Sequence, residues 1–202
     1  MILVCAATGR IGSRTIDRLV NDDRFQAVAA GVRELEECQD LQAREVDVRA
    51  VDYDDVSGLE SAFEGVERVV LIPSFADTEQ RAQQGRNVIQ AAENVGVKQI
   101  VFIGIMDTRS DSPLPFAHAY GAIESALSES NVDWTVLRTS MYTDNLAEQY
   151  PVWLESGKLL TCAGDGKVSY VSRDDISASI IGVLAASIED LDFVISFQAA
   201  ED

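Results

Sequence analysis

Near the start of the chain stands Ala6-Ala7-Thr8-Gly9-Arg10-Ile11-Gly12, where a short apolar run gives way to a stretch of helical period. When a strand enters a helix in this way, glycines permit a tight turn and let backbone N–H groups approach a pyrophosphate. Gly9 and Gly12 have the spacing of the last two glycines of a dinucleotide fingerprint, whereas Ala6 occupies the position of the first. The turn therefore predicts a dinucleotide site, and a turn that serves only helix packing is the alternative.

Short β-branched runs alternate with helical stretches along the whole chain, which is typical of βαβ units and a parallel sheet. The predicted strands are Ile2 to Ala7, Phe25 to Val32, Val46 to Val51, Arg68 to Ile72, Gln99 to Ile105, Trp134 to Arg138 and Phe193 to Phe197. The predicted helices are Ile11 to Asn21, Val56 to Phe63, Thr78 to Val95, Phe116 to Ser130, Leu146 to Leu154 and Arg173 to Ala186.

This order of elements predicts an α/β fold, a doubly wound parallel sheet of the Rossmann-like kind, in one domain over residues 1–202. Residues 139–170 break the alternation of strands and helices and contain the glycine-bearing run from Ala163 to Lys167. We interpret this segment as a small irregular excursion that contributes part of a binding pocket.

The composition narrows the class of function. The 202 residues include 34 acidic and 16 basic side chains, and the formal net charge of -18 argues against nucleic acid as a partner. Cys5, Cys38 and Cys162 are odd in number and far apart, as in a protein with reduced thiols, which predicts a cytoplasmic location. A single histidine, His118, argues against a zinc site, and no apolar run predicts a membrane span.

Arg33 and Glu34 follow the second predicted strand, where dinucleotide folds distinguish a ribose hydroxyl from a 2′-phosphate. An arginine pairs with the phosphate, whereas an acidic side chain accepts from the hydroxyl. Arg33 therefore favours NADP(H), and Glu34 leaves NAD(H) open. The alternative is that Arg33 pairs only with the acidic residues around it on the surface.

Two further segments follow predicted strands, namely Asp52-Tyr53-Asp54 and Ile72-Pro73-Ser74. Ligands of open α/β sheets bind at the carboxyl ends of the strands. We expect Asp52 to accept from an adenine amino group, with Tyr53 beside it, and the backbone from Ile72 to Ser74 to run along the adenosine. Ordinary loop structure is the alternative for both segments.

A set of motifs extends in order through most of the chain. These motifs are Ala7-Thr8-Gly9-x-x-Gly12, Val32-Arg33, Asp52-Tyr53-Asp54-Asp55, Asn87-Val88-Ile89-x-Ala91-Ala92, Gly96-Val97-Lys98, Leu137-Arg138, Tyr142-Thr143-Asp144-Asn145, Ala163-Gly164-Asp165-Gly166 and Arg173-Asp174-Asp175-Ile176. Together they resemble the NmrA-like group of atypical short-chain dehydrogenase/reductases, which includes NAD(P)H quinone oxidoreductases and triphenylmethane reductase.

The resemblance implies a Rossmann-like fold that binds NAD(P)(H), with Tyr142 and Asn145 near the substrate pocket. Members of the group usually continue past the last matched strand with a small helical portion that covers the substrate cleft. Here only Gln198 to Asp202 follow it. The sequence leaves open whether the cleft is more exposed, a partner subunit covers it, or the chain is a truncated form.

The alcohol-oxidising residues of typical short-chain dehydrogenases are absent. Those enzymes lower the pKa of a tyrosine with a lysine one helical turn on, assisted by a serine. Here Glu124 follows Tyr120 at that distance and would disfavour a tyrosinate, and Gly104 stands where the serine is expected. We therefore predict no catalytic residue and interpret Tyr120 as a pocket wall, with a general acid as the alternative.

A quinone or a conjugated cation accepts hydride directly, because delocalisation stabilises its product, so the protein need supply only positioning and exclusion of water. The predicted substrate-pocket residues are Phe75, Met106, Tyr120, Met141, Tyr142 and Asn145. We expect an NAD(P)H-binding oxidoreductase acting on a small-molecule acceptor of this kind, with homo-oligomerisation left open. The alternative is a non-catalytic NAD(P) redox sensor that acts through a protein partner.

Overall fold

The computed structural model describes residues 1–35, 38–44, 46–159, 165–186 and 193–196. The strands are β1 (Ile2–Val4), β2 (Val28–Val32), β3 (Asp47–Ala50), β4 (Arg68–Leu71), β5 (Gln99–Ile105), β6 (Asp133–Thr139) and β7 (Phe193–Ser196). The helices are α1 (Gly12–Val20), α2 (Gln39–Ala43), α3 (Val56–Phe63), α4 (Thr78–Val95), α5 (Ala117–Glu129), α6 (Thr143–Ser156) and α7 (Arg173–Ala185).

These strands form one parallel sheet in the order β3-β2-β1-β4-β5-β6-β7. The middle residue of β1, Leu3, lies opposite Ala29 of β2 on one side and Val69 of β4 on the other. The connections leave β1 in one direction and β4 in the other, so the carboxyl ends of these two strands flank the point where ligands of such sheets bind. This arrangement confirms the Rossmann-like fold.

Both faces of the sheet are covered by helices, which explains the continuous apolar strands in the sequence. On one face Leu3 belongs to a core with Phe63 of α3 and Leu127 of α5. On the other face the next residue, Val4, belongs to a core with Ile16 of α1 and Ile180 of α7. Alternate strand residues thus point to opposite helical layers, as the two-residue period of a strand requires.

Helix ends follow local chemistry. The Asp77 carboxylate accepts from the backbone N–H of Gln80 at 2.9 Å and so caps α4, and Gly96 ends that helix with φ of 78°. The last helix begins at Arg173, as predicted, because the Ser172 hydroxyl accepts from the N–H of Asp175 and caps α7.

Some predicted boundaries are wrong. β2 begins at Val28 rather than Phe25, because Asp22 binds the N–H and guanidinium of Arg24 in a local turn. β1 ends at Val4 rather than Ala7, because the chain turns within the apolar run. Helix α2 has five residues and was not predicted, and the predicted end of β7 at Phe197 lies outside the described residues.

The excursion contains α6, which is longer than the predicted helix from Leu146 to Leu154. None of the α6 residues is buried, and Tyr150, Val152 and Leu154 are more than half exposed. Its return segment pairs with the residues that precede it, since the N–H of Val171 donates to Met141 O at 3.1 Å. In the part of the chain described here, no helix has the length and hydropathy that a membrane span needs.

Candidate functional site

The turn after β1 explains both of its glycines. A Cβ added to Gly12 would lie 2.2 Å from Ala6 O, and one added to Gly9 would lie 3.0 Å from the same oxygen. Ala6 itself has φ of 50°, in the left-handed region that costs about 1–2 kcal/mol for residues other than glycine. Ala6 thus has a left-handed conformation at the position where the fingerprint has a glycine.

The same turn presents unpaired hydrogen-bond donors at a helix N-terminus. Within the described residues, the N–H groups of Thr8, Arg10, Ile11 and Gly12 donate to no protein acceptor. Helix α1 has no side-chain cap and no acidic residue in its first turn. Because free N–H groups and the helix dipole both favour an anion, these residues fit a pyrophosphate.

Arg33 directly follows β2, the neighbour of β1, and its side chain is 80% exposed. Its Nε lies 3.8 Å from Glu34 Oε1, a loose contact of the kind that contributes little at a protein surface. The guanidinium is therefore available to a phosphate next to the turn. The surface-pairing alternative involves positions 36 and 37 as well, which lie outside the described residues.

Tyr53, predicted to lie beside Asp52 at the cofactor, has a side chain that joins two loops. The ring is buried, and the hydroxyl donates to Ile72 O at 2.8 Å, joining the segments that follow β3 and β4. Burial raises the pKa of Tyr53 well above its ordinary value, and it raises the pKa of the neighbouring Cys5 thiol to about 12. Asn87 of α4 also donates to Tyr53 O at 2.8 Å.

A polar network positions the loop that follows β4. The Ser74 hydroxyl donates to Gln84 Oε1 at 2.5 Å, and Gln84 Nε2 donates to Asp54 Oδ2 at 2.9 Å. Asp52 is exposed, with Oδ1 accepting from the N–H of Asp54, which leaves its second oxygen for a ligand. The sequence did not reveal Gln84, because its partners lie 10 and 30 residues away.

Tyr142 lies at the carboxyl end of β6, among groups that fix its ring. Its hydroxyl is 3.4 Å from Thr139 Oγ1, which itself donates to Gly104 O at 3.0 Å. The Arg173 guanidinium carbon is 4.7 Å from the ring centre, and Arg173 also donates to Asn145 Oδ1 at 2.7 Å. Asn145, predicted to lie near the substrate pocket, therefore uses its carbonyl oxygen to hold Arg173.

Three other predicted pocket residues lie on separate loops at the same edge of the sheet. Phe75 follows β4 and is fully exposed, and Met141 follows β6 and is more than half exposed. Met106 follows β5, is partly buried and donates its N–H to Thr139 O at 3.0 Å. Apolar side chains from three loops thus surround the edge where the turn and Tyr142 also lie.

Glu124 does not act on Tyr120 as the sequence led us to expect. Its carboxylate accepts from Arg138 Nε at 2.9 Å and Nη2 at 2.5 Å, a bidentate pair that compensates its charge. The structure also explains why glycine stands at position 104, where a serine was expected. A Cβ on Gly104 would lie 2.9 Å from a methyl carbon of Val136.

Tyr120 lies on α5 and packs between two aromatic rings. The centre of its ring is 6.0 Å from that of Phe102 and 6.2 Å from that of Phe116. Burial raises the pKa of Tyr120, the Arg81 guanidinium opposes that rise, and the phenol of Tyr142 adds to it. Tyr120, predicted as a pocket wall, is thus a partly buried phenol with two aromatic rings and a guanidinium beside it.

Charged side chains attach α6 to the turn and to α7. Arg10 of the turn pairs with Glu148 of α6, and Asp144 lies 3.6 Å from Arg173 Nη1 and 3.7 Å from Arg14 Nη2. The N–H of Arg173 also donates to Asp144, which lowers the pKa of that carboxyl. Glu148 and Asp144 were not predicted, since their partners come from distant parts of the chain.

Comparison with known proteins gives a consistent result. The family described as NAD(P)H-binding matches residues 6–187. Quinone oxidoreductase 2 of Escherichia coli is 36% identical over 92% of this chain, and NAD(P)H azoreductase of Xenophilus azovorans is 31% identical over 91%. The structure of Citrobacter sp. triphenylmethane reductase complexed with NADP(H) has a TM-score of 0.88, with 32% identity over 96% of this chain and 68% of that one.

The chain spans 64% of the length of the E. coli quinone oxidoreductase and 63% of that of the azoreductase. The family match nevertheless covers the turn, all the described helices and five of the seven described strands, since only β1 and β7 lie outside residues 6–187. The chain belongs to the NAD(P)H-binding family and, within it, to the NmrA-like group of quinone oxidoreductases and triphenylmethane reductase.

Proposed function

We propose that this protein binds NADPH in preference to NADH and directs its hydride to a quinone-like or otherwise conjugated small molecule. The observation that carries this proposal is the combination of four unpaired N–H groups in the turn with an exposed arginine after the neighbouring strand. A dinucleotide with an additional phosphate matches both features.

Each segment at the carboxyl ends of the first four strands has a proposed role in binding the cofactor. The turn from Ala7 to Gly12 holds the pyrophosphate, and Arg33 pairs with the 2′-phosphate. Asp52 accepts from the adenine amino group, and the backbone from Ile72 to Ser74 runs along the adenosine. The bound cofactor supplies the hydride, and the protein positions the acceptor against it and excludes water.

The acceptor class follows from the side chains at the edge and from the relatives. Phe75, Met106, Met141 and Tyr142 offer apolar and aromatic surface suited to a flat conjugated molecule. The relatives are named for reduction of quinones, azo compounds and triphenylmethane dyes, which share an extended π system. These observations support an acceptor that delocalises the electrons it receives.

A cofactor titration tests the binding step. Arg33→Ala should weaken NADPH binding by roughly tenfold to a hundredfold, the usual value of a charged hydrogen bond, and leave NADH binding nearly unchanged. Arg24→Ala is the matched control, since Arg24 is also exposed but pairs with Asp22 away from the turn. Equal losses for the two cofactors would refute the phosphate contact.

Turnover is tested in the same cuvette by adding quinones, azo compounds and cationic dyes and following NADPH absorbance. Oxidation that depends on the acceptor supports the proposal. Tight NADPH binding without oxidation by any of these acceptors contradicts it.

That second result would favour a redox sensor. The observation behind this alternative is α6, whose apolar Tyr150, Val152 and Leu154 are exposed and whose attachment to the cofactor turn is ionic. Such a surface suits a protein partner that responds to the state of the cofactor. The sensor hypothesis requires binding of both oxidised and reduced cofactor without turnover.

A further inference from the structure

Tyr120 has a cationic neighbour that the sequence motif does not predict. The guanidinium carbon of Arg81 lies 5.6 Å from the centre of the Tyr120 ring, so a residue of α4 reaches across to α5. Arg81 Nη2 also donates to Ala76 O at 2.8 Å, which holds the guanidinium under the loop that follows β4. The cation therefore lies between Tyr120 and the loop that carries Phe75.

The charge of Arg81 is uncompensated, which is unusual in so acidic a protein. Within the described residues Arg81 takes part in no ion pair, and its Nε–H is buried without an acceptor. An unpaired guanidinium in partly buried surroundings stabilises a nearby negative charge more strongly than an exposed one does.

Two other titratable groups lie near Tyr120. One is Glu124, one turn further along α5, which accepts from Nε and Nη2 of Arg138 and also from the Thr108 hydroxyl at 3.2 Å. The other is the phenol of Tyr142, which raises the pKa of Tyr120. Arg81 is the positive charge that lies over the Tyr120 ring.

The hydroxyl of Tyr120 is also free to act. In the described part of the chain it has no hydrogen-bond acceptor, whereas the buried Tyr53 hydroxyl is committed to a backbone carbonyl. A phenol with a free proton, next to a cation and close to the predicted acceptor pocket, has the features of a general acid.

We propose that Tyr120 donates a proton to the acceptor and that Arg81 is its positioning residue, supplying from α4 the positive charge that a lysine on α5 would otherwise provide. This inference rests on the proposed function. When hydride from the bound cofactor reaches the acceptor, the O–H bond of Tyr120 breaks and the proton bonds to the acceptor oxygen or nitrogen. The cofactor provides both electrons, and the tyrosinate facing Arg81 then takes a proton from water.

This mechanism defines two classes of acceptor. A quinone or an azo compound becomes an anion on receiving hydride, so it benefits from a proton donor. A triphenylmethane cation becomes neutral on receiving hydride and needs no proton. A variant that has lost only the proton donor should therefore reduce quinones and azo compounds slowly and the dyes normally. A variant with a damaged site should reduce both classes slowly.

The test compares Tyr120→Phe and Arg81→Met with the matched controls Tyr150→Phe and Arg86→Met. Tyr150 is exposed on α6, and Arg86 lies on the outer side of α4, bound to Gln83. Both test variants should lower kcat for quinones and azo compounds by about a hundredfold, a typical contribution of a general acid, with dye reduction and NADPH affinity retained. Arg81→Lys, which keeps the positive charge, should retain most of the wild-type kcat for quinones and azo compounds.

A second readout needs no turnover. The absorbance of tyrosinate is followed with rising pH, and the Tyr120 signal is obtained by subtracting the Tyr120→Phe curve. Arg81→Met should move this signal to higher pH, whereas Arg86→Met should leave it in place. An unchanged signal in folded Arg81→Met overturns the positioning role.

The outcomes of the two proposals are distinct. A wild-type protein that reduces neither class of acceptor refutes the proposed function and the proton donor with it. A wild-type protein that reduces both, with quinone turnover unaffected by Tyr120→Phe, refutes only the proton donor. Equal losses for quinones and dyes show a structural role for Tyr120 and also overturn the proposal.

Discussion

Replacing Gly12 by alanine should destabilise the protein and weaken its cofactor binding together. The added Cβ would lie 2.2 Å from Ala6 O, 2.9 Å from Ala6 C and 2.9 Å from Ala7 Cα. Carbon atoms in favourable contact are about 3.5–4.0 Å apart, so the turn and α1 must separate by roughly 1 Å. All three obstructing atoms belong to the backbone, and no side-chain rotation relieves the contact.

The expected cost of such overpacking is about 1–3 kcal/mol in the free energy of unfolding. Gly182→Ala is the control, because a Cβ at this position of α7 meets nothing within 4 Å and the free energy of unfolding should change in the opposite direction. There the substitution should stabilise the protein by roughly 0.5–1 kcal/mol, the difference in helix propensity.

Urea unfolding of both variants, with and without NADPH, gives the two free energies in one experiment. NADPH at a hundredfold its Kd should stabilise the wild type and Gly182→Ala by about 2.7 kcal/mol, and Gly12→Ala by much less. Should Gly12→Ala prove as stable as Gly182→Ala and respond equally to NADPH, the close approach of the turn to α1 is not required and the reasoning fails.

Three further predictions concern ionisable groups. Glu148→Gln should free Arg10 for the cofactor and raise NADPH affinity by up to about fivefold in low salt, with no gain in about 0.5 M NaCl, as measured by fluorescence titration. The lowered pKa of Asp144 contributes stability above the carboxyl's ordinary pKa that is lost as pH falls through the lowered value, so Asp144→Asn should flatten the acid limb of a melting-temperature profile. The Cys5 thiol, with its pKa raised to about 12, should resist iodoacetamide at pH 8 in the folded protein, and the stability that it contributes is lost as pH rises from about 9 through 12.

Much of the edge of the sheet that we propose for the cofactor could be predicted from the sequence, because its features are local. The turn from Ala6 to Gly12, Arg33 and the segment from Ile72 to Ser74 each follow a strand, and in a parallel sheet the carboxyl ends of strands share one edge. The strands themselves are recognisable because helices cover both faces of the sheet and make the runs continuously apolar.

Contacts between distant segments could not be predicted in this way. Tyr53 follows β3 at the expected place, yet its side chain turns inward to Ile72 O and Cys5. Glu124 occupies the position of an activating lysine, and only its pairing with Arg138 of β6 removes its effect on Tyr120. In both cases residue type and spacing were correct, and the neighbour that decides the role comes from another element.

The sequence by itself determined the order of the strands and of the helices other than α2, and the turn of Gly9 and Gly12 between β1 and α1, since each depends on periodicity or on neighbours within a few residues. Only the tertiary structure decided which charges face one another. It placed Arg81 over Tyr120 from a helix about 40 residues earlier, and Arg10 against Glu148 of α6. The physical reason is that electrostatic interactions depend on distance in space and on burial, and neither is encoded by spacing along the chain.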